Sequence, residues 1–250
     1  MKSSTVHRLN AINRAFYAAC AVDFDVTRAG AWRGWGELLP SLHIPAEVSE
    51  PHPYTVLDVG CGNGRLGVFL AKRLQVPIHY HGLDNSETLL NAAHTALSKV
   101  PNLSFSLDLR DVVETPPDAG AYNLVAAMGI LHHIPGVAQR EQFVRALADR
   151  VAVGGRLVWT EWRFAEYERF RERMIPMLPD LVGEVEPGDY LLDWGGSAGA
   201  PPELSRRYCH AVDDAESERL IAAAGLPVYT IFRSDGHTRD ANRYVVLHRP

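Results

Sequence analysis

The feature that most limits what this chain can fold into is a buried-strand pattern running straight into glycine. Tyr54-Thr-Val-Leu-Asp-Val59 is short, apolar and β-branched, and Gly60-Cys-Gly62-Asn-Gly64 follows it without a spacer. Glycine accepts a left-handed backbone without steric cost, so three glycines in five positions specify a tight turn. A helical pattern from Arg65 to Leu74 comes next, which makes the run a strand, a turn and a helix. Such a turn lets a ligand approach the backbone and aims N–H groups at it. The alternation then continues. Strand patterns at 78–83, 103–107, 122–128 and 156–160 are separated by helical patterns at 87–97 and 139–150. Parallel strands need crossover connections, so this order predicts an α/β fold with a mostly parallel sheet and helices on both faces.

The flanks extend that core. Leu9, Ile12, Phe16 and Ala19 recur at helical spacing and predict a leading helix over 7–20. After the fifth strand the pattern loosens: a helix is expected through Met174, then a Pro- and Gly-rich stretch that includes residues 195–202. A helix over 214–224 and two strands at 228–232 and 244–247, joined by a polar loop and so antiparallel, complete the reading. The expectation is one domain over 1–250, with an N-terminal helical extension at 1–50 and a substrate-side insertion at 161–208.

Composition narrows the class. Hydrophobic residues make up 46% and charged residues 22%, with no apolar run long enough to cross a bilayer, so no membrane partner is expected. The N-terminus has no secretory pattern, and Cys20, Cys61 and Cys209 are scattered and odd in number. Reduced thiols, no metal site and a cytoplasmic location are the corresponding expectations. A net charge of −5 gives no general attraction to phosphate backbones. Arginines gather at 163–173, 206–207 and 233–249, the first group among Glu166, Glu168 and Glu172 as on a solvated helix.

The ligand class follows from the company of the glycines. Asp84 stands at the end of the second strand, 20 residues after Gly64, where a carboxylate can accept from both ribose hydroxyls of an adenosine. The Gly-x-Gly-x-Gly spacing differs from the Gly-x-Gly-x-x-Gly that holds a dinucleotide pyrophosphate, which disfavours NAD. Asp58 is a poor neighbour for pyrophosphate and a good one for a cationic amine or sulfonium. S-adenosylmethionine has both.

At these residues the chain resembles the class I S-adenosylmethionine-dependent methyltransferases, with Val56–Gly64 similar to their first motif and Gly82-Leu-Asp84 to their second. The resemblance implies a Rossmann-like fold, S-adenosyl-L-methionine as cofactor, and cofactor contacts from Asp58, Gly60, Cys61, Gly62, Asn63, Gly64, Asp84, Asn85, Asp108, Leu109 and Met128. Asp108 is expected against the adenine amino group, with a helix cap as the alternative. Met128-Gly-Ile-Leu-His-His133 matches the segment that lines the methyl group in that family, so His132 and His133 are the substrate-side candidates. One of them could act as a base, the other being a packed wall residue.

The flanks resemble a narrower family, the tRNA wobble-uridine carboxymethyl methyltransferases. The matching elements are Phe24-Asp-Val-Thr27-Arg28-Ala-Gly-Ala-Trp32, Gly188-Asp-Tyr-Leu-Leu-Asp-Trp194, Arg207-Tyr208-Cys-His210 and the final strand from Asp240. Cys209, Asp193 and Arg243 depart from that family's pattern. The resemblance implies esterification of a 5-carboxymethyl-type uridine in the tRNA anticodon loop, with Arg28, Arg207 and Tyr208 orienting the carboxylate and Trp32, Trp162, Trp194 and Tyr208 stacking bases. It also implies a possible small zinc-binding activator protein as partner. Two other readings stay open: a small-molecule methyltransferase, favoured by the acidic balance and the substituted flank positions, and a regulatory subunit that binds S-adenosylmethionine without catalysis.

Overall fold

The computed structural model describes residues 1–26, 30–194 and 204–250, without the side chains of 22–26. Thr27, Arg28 and the run at 195–202 therefore lie outside the described residues. The core is a seven-stranded sheet. Its parallel part consists of β1 (Tyr54–Val59), β2 (Ile78–Asp84), β3 (Leu103–Leu109), β4 (Tyr122–Ala127) and β5 (Val151–Trp162). β10 (Asn242–His248) lies antiparallel between β5 and β9 (Val228–Ser234), giving the order β3-β2-β1-β4-β5-β10-β9. The mostly parallel sheet and the antiparallel end are both as expected.

Period two sorts the strand side chains between two cores. Leu57, Val59, Val125 and Leu157 face one side, under α5 (Val137–Ala148) and α7 (Asp214–Ala224). Tyr54, Val56, Leu124 and Val158 face the other, under α3 (Arg65–Leu74), α4 (Glu87–Leu97) and α2 (Arg33–Leu38). Ser86 accepts from the Leu89 amide to start α4, and Gly225 closes α7 in the left-handed region. Because the chain leaves β1 for β2 on one side and reaches β4 on the other, a crevice opens at the C-terminal ends of β1 and β4.

One side of that crevice is built by elements the sequence reading left irregular. Instead of a helix to Met174, a four-residue helix α6 (Glu168–Arg171) ends early, and β6 (Met174–Ile175), β7 (Asp189–Asp193) and β8 (Arg206–His210) form a separate antiparallel sheet. The leading helix is longer than its apolar spacing marks: α1 runs Ser3–Val26 and packs on β8 and α4. No helix of the described residues is long and apolar enough to cross a membrane.

A buried charge network ties this small sheet to the core. Arg140 of α5 bonds Glu216 of α7 at 2.5 Å and Glu186 at 3.1 Å, and His210 of β8 reaches Glu216 and Asp189 at 2.7 Å each. Burial works against charge on His210, but the Asp189 and Glu216 carboxylates outweigh it and hold the imidazole above its ordinary value. Burial would raise Glu216, yet His210 and Arg140 hold it down to about 2. His210 therefore adds stability that is complete below pH 6.5 and is lost as pH rises through its folded value, while the Glu216 share is lost as pH falls below 4.5. The stability gap between the wild type and His210→Gln, measured by urea unfolding, should be widest between those limits and narrow above them. Arg140→Met, which leaves two carboxylates facing each other, should cost about 3 kcal/mol.

Candidate active site

The glycine loop is shaped by one carboxylate. Gly60, Gly62 and Gly64 all lie in the left-handed region, at φ 74°, 55° and 73°. At Gly60 a side chain is also excluded by space, since a Cβ would stand 2.8 Å from Ile130 Cδ1. At Gly62 the same position is open, with nothing within 4 Å, and the residue lines a cavity. Asp84 Oδ2 accepts from the Gly62 amide at 2.8 Å, and its Oδ1 accepts from the Ser86 amide at 2.9 Å. Burial raises the Asp84 pKa and these backbone N–H groups oppose the rise. The acid at the end of β2 thus sets both the loop and the start of α4 while facing the crevice.

The cavity runs along this loop. Asn85, Leu89, Asp111, Val112 and Val113 line it from the segments that follow β2 and β3, and Asp58, Met128, Gly129, Ile130 and His133 from β1 and the segment after β4. Asp58 shares a face of β1 with Tyr54 and Val56, and is buried against the Tyr80 hydroxyl at 2.5 Å. Burial pushes its pKa up to about 7, against the Tyr80 hydrogen bond and with the help of Asp84. Cys61 and Asn63 line the cavity too, and burial pushes the Cys61 thiol up, so it is a wall and not a nucleophile.

Three expected residues stand elsewhere. Gly64 packs toward α4, where a Cβ would meet Ala93 and Leu97, and is not among the cavity residues. β3 runs two residues past Leu107, and its alternation turns Asp108 to the face of His81, whose Nε2 lies 2.8 Å from its carboxylate. Asp108 and the exposed Leu109 are not among the cavity residues. The acid at the crevice is Asp111, held by the Asn10 amide at 2.8 Å and by its own turn through the Val113 amide at 3.0 Å.

The second missed contribution is α1. Asn10, Asn13 and Tyr17 recur at spacings of three and four and line the cavity, the two asparagines being buried. A polar stripe beside Leu9, Ile12 and Phe16 was the available signal. Tyr17 lies 2.8 Å from His133 Nε2, and His133 Nδ1 faces the Tyr208 carbonyl at 2.9 Å, with the Asn13 amide nitrogen at 3.2 Å. The Tyr208 carbonyl calls for a proton on Nδ1 and the Asn13 amide for a lone pair there, so the contacts permit either tautomer; with the proton on Nδ1, Nε2 accepts from the Tyr17 hydroxyl.

A second cavity adjoins the first and shares Tyr17, Trp32 and Gly129 with it. His132, Trp162, Trp194 and Arg207 line it. Of the residues expected to meet there, β8 brings Arg207 and turns Tyr208 away. Alternate residues of a strand face opposite ways, and the Tyr208 hydroxyl is buried against Asp189 at 2.7 Å. Arg28 lies outside the described residues.

These residues fit S-adenosylmethionine. Asp84 would receive the ribose hydroxyls, Leu89, Val112 and Val113 would sandwich the base, Gly60 and Gly62 would let the backbone close on it, and Asp58 would meet the amine. Comparison with known proteins agrees. Residues 56–155 match the family model described as a methyltransferase domain. The chain is 30% identical over 160 residues to a probable chloroplastic tocopherol O-methyltransferase of Oryza sativa subsp. japonica, covering 63% of this chain and 42% of that protein. It is 29% identical over 105 residues to a ubiquinone biosynthesis O-methyltransferase of Coxiella burnetii, covering 42% of each. The chain therefore spans about two fifths of the length of these curated relatives. Among solved structures, magnesium protoporphyrin IX methyltransferase of Synechocystis PCC 6803 with bound SAH superposes with a TM-score of 0.62 at 15% identity, covering 96% of this chain and 99% of that one. The fold is that of the class I S-adenosylmethionine-dependent methyltransferases.

Two outcomes test the site. Asp84→Ala should abolish S-adenosylmethionine binding in calorimetry, because the loop loses its anchor together with the ribose acceptor. An ionised Asp58 is favoured by a cationic ligand, so binding should release a proton and weaken by up to about tenfold for each pH unit below 7. Asp58→Asn should bind more weakly at pH 8 and lose that slope.

Proposed function

We propose, with a methyltransferase domain at residues 56–155 as the premise, that this chain transfers the methyl group of S-adenosylmethionine to a small-molecule acceptor held in the second cavity. The observation that carries the reading is the wall the two cavities share at Tyr17, Trp32 and Gly129. When bound, S-adenosylmethionine supplies a methyl carbon on a sulfonium: the acceptor's lone pair bonds to that carbon while the electron pair of the breaking C–S bond stays on sulfur.

Such a reaction asks the protein chiefly to hold the acceptor in line, which can supply about 7–11 kcal/mol of the barrier. Gly129 is fixed for this by its amide, which donates to Thr160 Oγ1 at 2.7 Å, and by Trp32, whose ring would stand 3.0 Å from a Cβ there. For an acceptor that must lose a proton, Tyr17 and His133 form a relay: the hydroxyl at the shared wall takes the proton as its own passes to Nε2. His132, buried against Trp162 at 5.2 Å, completes the acceptor wall. An ionised carboxylate needs no base.

The matched relatives, a probable tocopherol O-methyltransferase and a ubiquinone biosynthesis O-methyltransferase, and the net charge of −5 support a small acceptor. A wobble uridine of tRNA, with or without a zinc-binding activator, is the competing acceptor. Incubation with methyl-labelled S-adenosylmethionine, a low-molecular-mass cell extract and bulk tRNA separates them. Label should enter the small-molecule fraction; label in tRNA alone overturns the proposal in favour of the uridine, and no label in either favours the regulatory subunit. With a phenol or amine acceptor, Tyr17→Phe should lower kcat by about 10²-fold or more, whereas a carboxylate acceptor should be little affected.

A further inference from the structure

Three side chains that can ligate a soft metal ion meet where β8 passes the loop after β4. His132 and His133 are consecutive and Cys209 comes from β8; one ligand atom of each lies within 4.8 Å of the others, and all three residues are buried. Cys209 Sγ stands 4.0 Å from His133 Nδ1, and the two imidazole centroids are 4.1 Å apart. A trigonal ion with bonds of about 2.0 Å to nitrogen and about 2.3 Å to sulfur spaces those two ligands about 3.7 Å apart. The pair needs little movement to coordinate. Cys209 lies 76 residues from His133, so no motif spacing announces the group.

The surroundings of His133 Nδ1 supply a second observation. The Asn13 side-chain oxygen accepts from the Tyr208 amide at 2.8 Å, which turns the Asn13 nitrogen, a donor, toward Nδ1 at 3.2 Å; the Tyr208 carbonyl, an acceptor, faces the same atom at 2.9 Å. Nδ1 is therefore as well placed to present a lone pair as a proton, and a lone pair is what a metal ion takes. Both rings are within reach of an ion, His132 lining the second cavity and His133 the first, with Cys209 behind them among Phe164 and Leu192.

Charge selects the ion. A thiolate beside two neutral imidazoles carries one negative charge, and a cation already stands nearby: the Arg207 guanidinium lies 5.2 Å from the Trp162 ring, and His132 packs on that same ring at 5.2 Å. A monovalent ion makes the group neutral, whereas a divalent one leaves a further positive charge in a buried setting, which is costly. Thiolate and imidazole suit copper, three ligands suffice for Cu(I), and zinc takes a fourth. The other such group among the described residues, Glu186, Asp189 and His210, already has a cation in Arg140.

From this grouping we propose that His132, His133 and Cys209 form a Cu(I) site. Binding forms two Cu–N bonds and one Cu–S bond and releases one proton, from the thiol. With His133 Nδ1 on the metal, Nε2 carries the ring proton and no longer accepts from Tyr17, so copper silences the relay; that consequence, unlike the site, rests on the proposed function.

The full chain, reduced and without methyl donor, is mixed with Cu(I) and bathocuproine disulfonate, a coloured chelator that competes for the ion. One equivalent should be withheld from the chelator, with a copper-edge X-ray absorption spectrum of one sulfur and two nitrogen ligands, a result that needs no variant. Cys209→Ser and His132→Gln should each lower the affinity by about tenfold or more, while Cys20→Ser keeps it. No retained copper, two or more sulfur ligands, or unchanged affinity in Cys209→Ser overturns the site; one equivalent of Zn(II) that excess Cu(I) does not displace overturns the copper assignment. Calorimetry of S-adenosylhomocysteine on the metal-free chain is a separate readout: its failure would sink the methyl-donor reading and leave the copper result to stand or fall by itself.

Discussion

The Asp84 carboxylate is the contact on which the site depends. One oxygen holds the Gly62 amide and the other the Ser86 amide, so a single side chain at the end of β2 fixes the turn after β1 and the first residues of α4. Buried and bonded on both oxygens, it has little freedom to rotate. The glycines are then consequences: with the loop drawn toward β2, positions 60, 62 and 64 must take a left-handed backbone, which residues with a Cβ adopt only under strain. Burial first, and the nearby Asp84 charge after it, raise the Asp58 pKa on the neighbouring strand β1.

A second set of constraints holds the wall of the second cavity in place. His133 lies at the meeting point of α1, β8 and the loop after β4, touching Tyr17, Asn13 and the Tyr208 backbone. Asn13 also accepts from the Tyr208 amide at 2.8 Å, so helix and strand are stitched by polar contacts in a dry setting where each missing partner is costly. Below them the Arg140 network joins the small sheet to α5 and α7.

How much of this was legible depends on how local the cause was. The strand, turn and helix around the glycines are set by neighbours in sequence, and β1, α3 and α4 fall where their residues imply. The small sheet is set by pairing between segments far apart. Asp189–Asp193 and Arg206–His210 place charged residues among apolar ones, because Asp189, Arg207 and His210 are buried with partners or rings that sequence spacing does not reveal. Asp108 illustrates the finer limit: a strand two residues longer than its apolar alternation puts the next acid, Asp111, at the crevice instead. The polar stripe of α1 was visible but ambiguous, since Asn10 and Asn13 on a helix read as solvated until a partner element covers them.

The shared wall at Tyr17, Trp32 and Gly129 makes the two cavities thermodynamically one object. Whatever occupies the first supplies part of the surface that the second presents, and the reverse holds equally. In the proposed reading, affinities for donor and acceptor are then linked by one coupling free energy, identical in both directions. The spent donor lacks the methyl group and the positive charge of the fresh one, so it presents a different surface to the neighbouring chamber. The occupant of one chamber thereby influences how long the occupant of the other stays.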